Sequence, residues 1–293
     1  MNLAENLAVD LATTKRTVSG SAVSPRVKGK LTVQRFIVPY RVYGSGKDTL
    51  VFVNGVQQSM AMWHSFVRRF CSSYRIVLFD LPNQGAGRIV SGSVHLSLEE
   101  QVDILAAVID ATSGADRPTL CSASWGGVIA MAYAVRHPER IKSLILASMG
   151  TRANQRMIDM ISKGLHGQVR EPLEVAETLI EAIGQNLPAA MKQKILSQFQ
   201  HMGPEAFRAF LQHGSTVLSV RELSKVVDVR KVQCKTTLLH GGQDTIVDID
   251  DVRYLASQIP RTELRVIENV GHFLHLEKEE LLDVYEEILA SSR

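Results

Sequence analysis

Short runs of β-branched and aliphatic residues alternate along the chain with longer stretches in which apolar positions recur every three to four residues. The runs at residues 35–43, 49–54, 75–80, 118–123, 142–147, 235–240 and 263–268 predict strands. Helical patterns at 61–71, 98–113, 125–136, 249–258 and 278–290 fall mostly between them. Several strands are apolar throughout, such as Ile76-Val77-Leu78-Phe79, which suits burial on both faces of a mainly parallel sheet. Alternation of strand and helix with short connections implies a doubly wound α/β domain.

The rhythm breaks after residue 150. Helical patterns at 157–165, 175–183 and 189–199 follow one another with no strand between them. Pro172, Pro188 and Pro204, with Gly184 and Gly203, mark helix boundaries. The pattern predicts a helical cap over residues 151–218, inserted into a core formed by 34–150 and 219–293. Such a cap emerges at the carboxyl ends of the strands, where open α/β sheets bind their ligands.

Composition narrows the classes. Of the 293 residues, 45% are hydrophobic and 22% charged, which is ordinary globular usage. The longest apolar stretches, residues 49–53 and 144–147, are far below the roughly 18 residues of a membrane span, so no stable membrane association is expected. The net charge of +3 is concentrated at the start: residues 1–33 hold Lys15, Arg16, Arg26, Lys28 and Lys30 against Glu5 and Asp10. The rest of the chain is balanced, so there is no basic face for nucleic acid, and residues 1–33 read as a flexible, solvated basic arm. The arm lacks the apolar stretch of a secretory signal, and its acids argue against a transit peptide. Three cysteines, Cys71, Cys121 and Cys234, fit neither a disulfide framework nor a zinc spacing, and a reducing cytoplasm is the natural setting. Nothing points to a metal or cofactor.

The sharpest chemical signal is Cys121-Ser122-Ala123-Ser124-Trp125-Gly126-Gly127, between an apolar strand and a helical pattern. A nucleophile elbow places its serine on a strained strand-to-helix turn and requires small residues two positions to either side. Ser124 meets that description, flanked by Ser122 and Gly126; a plain helix start capped by Ser124 is the simpler alternative. A serine hydroxyl requires a base held by a third group. Asp244, in a turn after strand 235–240, and His272, after the last strand, follow in the order serine, acid, histidine. The chain has nine histidines; His272 is singled out by that order, its position after a strand and the preceding Gly271. Asp248, Asp250 and Asp251 compete with Asp244 but fall at a helix start and read as caps. Two backbone amides are expected to form the oxyanion hole: Trp125 N–H, directly after the nucleophile, and Val56 N–H in Asn54-Gly55-Val56-Gln57. Asp80 reads as a brace for the loop Leu81-Pro82-Asn83-Gln84-Gly85-Ala86-Gly87, which is no dinucleotide site because no helix follows at the required spacing.

Val53-Asn54-Gly55, Val77-Leu78-Phe79-Asp80-Leu81-Pro82, Ser122-Ala123-Ser124-Trp125-Gly126-Gly127 and Gly271-His272-Phe273-Leu274 together resemble the α/β-hydrolase superfamily. More narrowly, they resemble the bacterial 3-hydroxyacyl transferase group, which includes rhamnolipid-precursor synthases and 3-hydroxyacyl-ACP:CoA transacylases. The resemblance implies an α/β-hydrolase fold with a helical cap after the sixth core strand. It also implies 3-hydroxyacyl thioester substrates on acyl carrier protein or coenzyme A, and Ser124, Asp244 and His272 as the triad. Asn83-Gln84, His275, the basic arm and the cap depart from the group's pattern.

The expected chemistry is acyl transfer from a 3-hydroxyacyl thioester, through Ser124, to the 3-hydroxyl of a second unit, giving a 3-(3-hydroxyalkanoyloxy)alkanoate. Asn54, Gly55, Met157 and Ile161 are candidate substrate-binding residues, Met157 and Ile161 belonging to a cap stripe with Ile158 and Leu165. Arg152 and Arg156 are candidates for docking a carrier protein. Two alternatives remain on sequence alone: a carboxylesterase or thioesterase with the same triad, and a non-enzymatic ligand sensor on the same scaffold.

Overall fold

A computed structural model describes residues 7–9, 23–114, 116–166, 171–220 and 222–291. Ten strands form one sheet: β1 Leu7–Val9, β2 Val27–Val33, β3 Phe36–Tyr43, β4 Thr49–Val53, β5 Arg75–Phe79, β6 Arg88–Ile89, β7 Thr119–Ala123, β8 Ser143–Ala147, β9 Lys235–Gly241 and β10 Thr262–Ile267. Their order is β1-β10-β9-β8-β7-β4-β5-β3-β2, with the short β6 paired to β3. From β5 to β1 every pairing is parallel, whereas β3 runs antiparallel to β2, β5 and β6.

The uniformly apolar strands are explained by burial on both sides. Val51, Val53, Val77 and Phe79 face one layer, with Ile104 and Leu105 of α2 (Leu98–Ser113), Ile129 of α3 (Trp125–Arg136) and Leu255 of α8 (Ile249–Gln258). Their neighbours Leu50, Phe52, Ile76 and Leu78 face the other, with Phe66 of α1 (His64–Phe70) and Tyr285 of α9 (Leu281–Ala290). Side chains alternate across a strand, so a two-faced core demands apolar residues at every position.

Four helices lie between β8 and β9: α4 Gln155–Leu165, α5 Pro172–Ile183, α6 Ala189–Gln200 and α7 Pro204–Ser219. The last is a helix that the sequence pattern did not single out. Its apolar face is interrupted by His213 and Gly214, and Gly214 is where Ile161 of α4 packs: a Cβ there would lie 2.9 Å from Ile161 Cγ2. The basic arm also needs revision. Val27–Val33 pairs along its whole length with β3, from Val27 opposite Val42 to Val33 opposite Phe36, so the ordered core begins before residue 34. Its mostly exposed and half-buried positions gave no alternation strong enough to read as a strand. Leu7–Val9 adds to the opposite edge, and the remainder of residues 1–22 lies outside the described residues. Helix 61–71 divides into a 3₁₀ turn, Met60–Trp63, and α1, while the final helix starts at Leu281.

Candidate functional site

The elbow forms where β7 ends. Ser124 sits at φ 50° and ψ −125° with no side-chain cap bond, a left-handed backbone that a helix-capping serine would not need. Its N–H donates to Ala147 O at 2.8 Å. The small neighbours are required by close contacts. A Cβ on Gly126 would lie 2.4 Å from Val53 O and 2.7 Å from Asn54 O, so α3 can abut the end of β4 only through glycine. Ser122 is fully buried. Trp125 points into the core, where its Nε1 donates to Gln101 Oε1 at 2.8 Å.

Asp244 and His272 meet at the same edge. His272 Nδ1 donates to Asp244 Oδ2 at 2.7 Å, and both side chains are almost completely buried. Asp244 Oδ1 accepts from the amides of Ile246 and Val247 at 3.0 and 3.2 Å. Burial favours the neutral forms of both groups. For Asp244, the His272 charge, its hydrogen bond and the Ile246 amide outweigh that effect, and the pKa is lowered. For His272, burial lowers the pKa, but the Asp244 charge and hydrogen bond, with Glu277, raise it overall above the ordinary value of 6.5.

The histidine loop is held by residues that sequence reasoning missed. Ser148, at φ 54° immediately after β8, donates from its hydroxyl to His272 O at 2.6 Å. Glu277 accepts from Gly271 N at 2.6 Å and Phe273 N at 2.9 Å. No local motif marks either residue, because each acts on a segment distant from it or on backbone alone. His275 stacks on Trp63 at 4.8 Å, and burial pushes its pKa down to about 4.

Ser124, His272 and Val56 line one cavity of about 790 Å³ beneath the cap, within the range of about 300–1,000 Å³ usual for small-molecule sites. Among the described residues, neither Val56 N–H nor Trp125 N–H has a hydrogen-bond partner, as donors waiting for a developing oxyanion require. Met157 and Ile161 line the cavity with Leu179, Ile195 and Phe199. Ile158 and Leu165 of the same stripe do not.

Asn54 and Gly55 belong elsewhere than the sequence suggested. Asn54 is 1% exposed, donates to Phe79 O at 2.9 Å and accepts from Trp63 Nε1 at 2.8 Å. It ties β4, β5 and the following 3₁₀ turn together. Gly55 N donates to Gln58 Oε1 at 2.6 Å, and neither residue reaches the cavity. Asp80 braces its loop as expected, accepting from Met60 N at 2.7 Å and Ala86 N at 3.0 Å. Asp248 is the N-cap residue of α8 without a side-chain cap bond, and instead accepts from Asn154 Nδ2 at 3.1 Å. Asp251 accepts from Thr151 N at 2.6 Å, fastening the start of the cap to the core. Arg152 and Arg156 lie outside the cavity lining; Arg152 stands 3.9 Å from Asp251 and Arg156 reaches Glu181 O at 3.4 Å. No group of three potential metal ligands and no helix long and apolar enough to cross a membrane occurs among the described residues.

A buried acid–histidine pair and a serine on a strained strand-to-helix turn lie at the carboxyl edge of a mainly parallel sheet, the arrangement of an α/β-hydrolase-fold enzyme. The sequence model of the alpha/beta hydrolase family matches residues 50–284, and the chain belongs to that family. It is similar to the (R)-3-hydroxydecanoyl-ACP:CoA transacylase of Ectopseudomonas oleovorans, with 24% identity over 81% of this chain and 82% of the relative. It is likewise similar to a 2-hydroxy-6-oxononadienedioate/2-hydroxy-6-oxononatrienedioate hydrolase of Paraburkholderia phymatum, with 27% identity over 83% and 87%. Among solved structures, a bacterial membrane phospholipase A superposes with TM-score 0.75 at 25% identity, covering 93% of this chain and 87% of that one. The 2-hydroxy-6-oxo-6-phenylhexa-2,4-dienoate hydrolase of Rhodococcus sp. strain RHA1 gives 0.77 at 17% identity, covering 92% and 99%, and shares the fold.

Proposed function

We propose that the protein is a serine acyltransferase acting on 3-hydroxyacyl thioesters, with Ser124, His272 and Asp244 as its triad. The observation that carries this reading is that Ser124 and His272, the latter bound to Asp244, line one mainly apolar cavity roofed by the cap. The likeness to a 3-hydroxydecanoyl transacylase supports the acyl class. Ser124 Oγ attacks the thioester carbonyl while His272 Nε2 accepts its proton, and the Val56 and Trp125 amides hold the oxyanion. Collapse expels the thiolate, which takes the proton from His272, and leaves an acyl ester on Ser124. His272 then deprotonates the 3-hydroxyl of a second 3-hydroxyacyl unit, whose oxygen attacks the ester, and the proton returns to Ser124. One thioester bond is exchanged for one oxygen ester: a free 3-hydroxy acid as acceptor gives a 3-(3-hydroxyalkanoyloxy)alkanoate directly, whereas a 3-hydroxyacyl thioester as acceptor gives its thioester, which releases the alkanoate when water cleaves the remaining thioester bond. The apolar wall of Met157, Ile161, Ile195 and Phe199 disfavours water as the acceptor.

Cationic groups at the cavity support a phosphate-bearing carrier, coenzyme A or acyl carrier protein. Arg68 and Lys194, both exposed, line it beside His64. The His64 pKa is lowered first by burial and then by the charges of Arg41, Arg68 and Lys194. Three unpaired cysteines fit a cytoplasmic setting.

Hydrolysis is the second reading, favoured by the hydrolase relatives; it uses the same acyl-enzyme with water as acceptor. Incubation with 3-hydroxydecanoyl thioesters of acyl carrier protein and of coenzyme A, followed by mass spectrometry, decides between them. A dimeric hydroxyacyl ester is the expected product. Acyl exchange between carriers identifies a transacylase, free 3-hydroxy acid identifies a thioesterase, and no product from either donor overturns the acyl-thioester reading.

A further inference from the structure

The loop after β5 carries a buried side chain that the mechanism above does not use. Gln84 is 2% exposed. With its amide turned to satisfy its surroundings, its nitrogen donates to Gln58 O at 2.8 Å and to Gly55 O at 3.2 Å. The amide oxygen then faces His213 Nδ1 at 3.4 Å, the arrangement of a long hydrogen bond from a neutral imidazole. Burial, with a smaller effect from His95, pushes the His213 pKa down to about 4, so the ring is neutral near pH 7. His213 belongs to cap helix α7. Gln84 therefore links the cap to the segment Gly55–Gln58.

That segment contains the second oxyanion donor. Gly55 C=O and Val56 N–H are the two ends of one peptide unit, which is trans, as no cis bond occurs among the described residues. In a trans peptide these groups point in opposite directions. A donor fixed on Gly55 O therefore also fixes the direction of Val56 N–H, which belongs to the residue lining the cavity with Ser124. Rotation of this peptide would turn a carbonyl toward the reacting oxygen and replace attraction with repulsion. The position of Gln84 is itself determined. Gly85 adopts φ +53°, and a Cβ there would lie 2.3 Å from Asp80 Oδ2, while Asp80 binds both its own loop at Ala86 and the segment after β4 at Met60.

We propose that Gln84 is a positioning residue for the oxyanion hole, orienting the Gly55–Val56 peptide and completed by His213 when the cap is seated. The inference rests on the acyl-enzyme reading, and a substrate-independent probe separates the two. Full-length wild type, Gln84→Leu, His213→Leu and His213→Gln are treated with a long-chain fluorophosphonate at a temperature well below melting, and labelling is followed by intact mass. Wild type is expected to gain one adduct, located on Ser124. Gln84→Leu should label to the same extent at a rate about ten- to hundredfold lower, less than or comparable to the loss of one oxyanion donor. His213→Leu should slow labelling about three- to tenfold, and His213→Gln, which retains a donor toward Gln84, should restore most of the rate. If Gln84→Leu does not fold, the near-isosteric Gln84→Glu, which cannot donate to the carbonyls when ionised, is measured and the same loss is expected. A merely structural role would lower the melting temperature and leave the labelling rate within twofold of wild type, which overturns the proposal. Absence of an adduct on wild-type Ser124 would instead overturn the acyl-enzyme reading beneath it.

Discussion

The catalytic edge and the cap roof the same cavity but are built in opposite ways. At the edge, the acid and the histidine loop are tied at many points: Asp244 is bound by His272 and two amides, His272 O by Ser148, and the loop amides on either side of His272 by Glu277. Two dense apolar layers stand beneath them. Among the described residues, the cap's own buried cluster comprises Val175, Ala176 and Phe199, and much of its remaining apolar surface faces the cavity. Its polar ties to the core include Thr151 to Asp251, Thr245 to Ala182 O, Asn186 to Gln243 and His213 to Gln84. A rigid edge can keep reacting atoms within tenths of an ångström, whereas a lightly tied cap can admit chains of different length. Substitutions at the edge should therefore alter the rate constant of chemistry, and substitutions in the cap should alter which substrate is chosen.

The largest expected effect is at Ser124. Ser124→Ala should lower kcat by roughly 10⁴-fold or more for every thioester, because the members of a triad act as a unit. Retention of more than about one hundredth of wild-type turnover would show that another group is the nucleophile. Asp244→Asn comes next, at about 10³–10⁴-fold in kcat, since an amide there can hold the imidazole in the wrong tautomer and cannot stabilise its charged form. Its pH profile gives a second reading. His272 must be neutral to accept a proton, and Asp244 raises its pKa, so the acid limb of wild-type kcat/KM should lie above the ordinary histidine value. Without the Asp244 charge, burial dominates and the limb should move to lower pH. A limb that moved upward or stayed fixed would mean that another group controls it.

Legibility divides along the same boundary. Strands β4, β5, β7, β8 and β9 were readable because both of their faces are buried and each carries adjacent apolar residues between turn-forming segments. Ser124, Asp244 and His272 could be proposed as a set because each follows a strand, β7, β9 and β10, in a fixed order, and the structure brings the last two into contact. Val27–Val33 was not, since an edge strand with one solvated face and Lys28, Gly29 and Lys30 at its centre looks like a polar arm. Asn54 was misplaced because its neighbour Val56 does face the cavity. Only the fold reveals that Trp63 and Phe79 occupy both ends of its amide. Ser148, Glu277 and Gln84 stayed hidden for a related reason: each binds backbone, and the positions of those carbonyls and amides are set by tertiary structure, not by side-chain identity.

Within the cap, Ile161→Trp tests selectivity. Ile161 lines the cavity and packs against Gly214 of α7, so a larger side chain has room only by filling the cavity. Each methylene excluded from an apolar site forfeits about 0.8 kcal/mol, or about fourfold in kcat/KM. Long 3-hydroxyacyl donors should lose tenfold or more, while donors two to four carbons shorter should lose less than threefold. A uniform loss across chain lengths would place Ile161 in the cap's packing and not in the acyl pocket.

The smallest effect is expected at Lys194, and it tests the cap's charge instead of its shape. Lys194 is exposed on α6 and lines the cavity with Arg68; Arg68 is partly neutralised by Glu279 at 3.5 Å. Lys194→Glu reverses the less encumbered of the two charges. An exposed charge acting on a phosphate through solvent contributes little, typically below about 1 kcal/mol, so KM for a 3-hydroxyacyl-CoA should rise about three- to fivefold at low salt with kcat unchanged. Because the Debye length shrinks to about 3 Å at 1 M ionic strength, added salt should erase most of the difference. The decisive control is the matching acyl-pantetheine thioester, which has the same acyl group and thiol but no phosphate. Its KM should be the same for wild type and Lys194→Glu. An equal rise for both thioesters would show that Lys194 supports the cap's structure and not the carrier, leaving the cavity selective for the acyl chain alone.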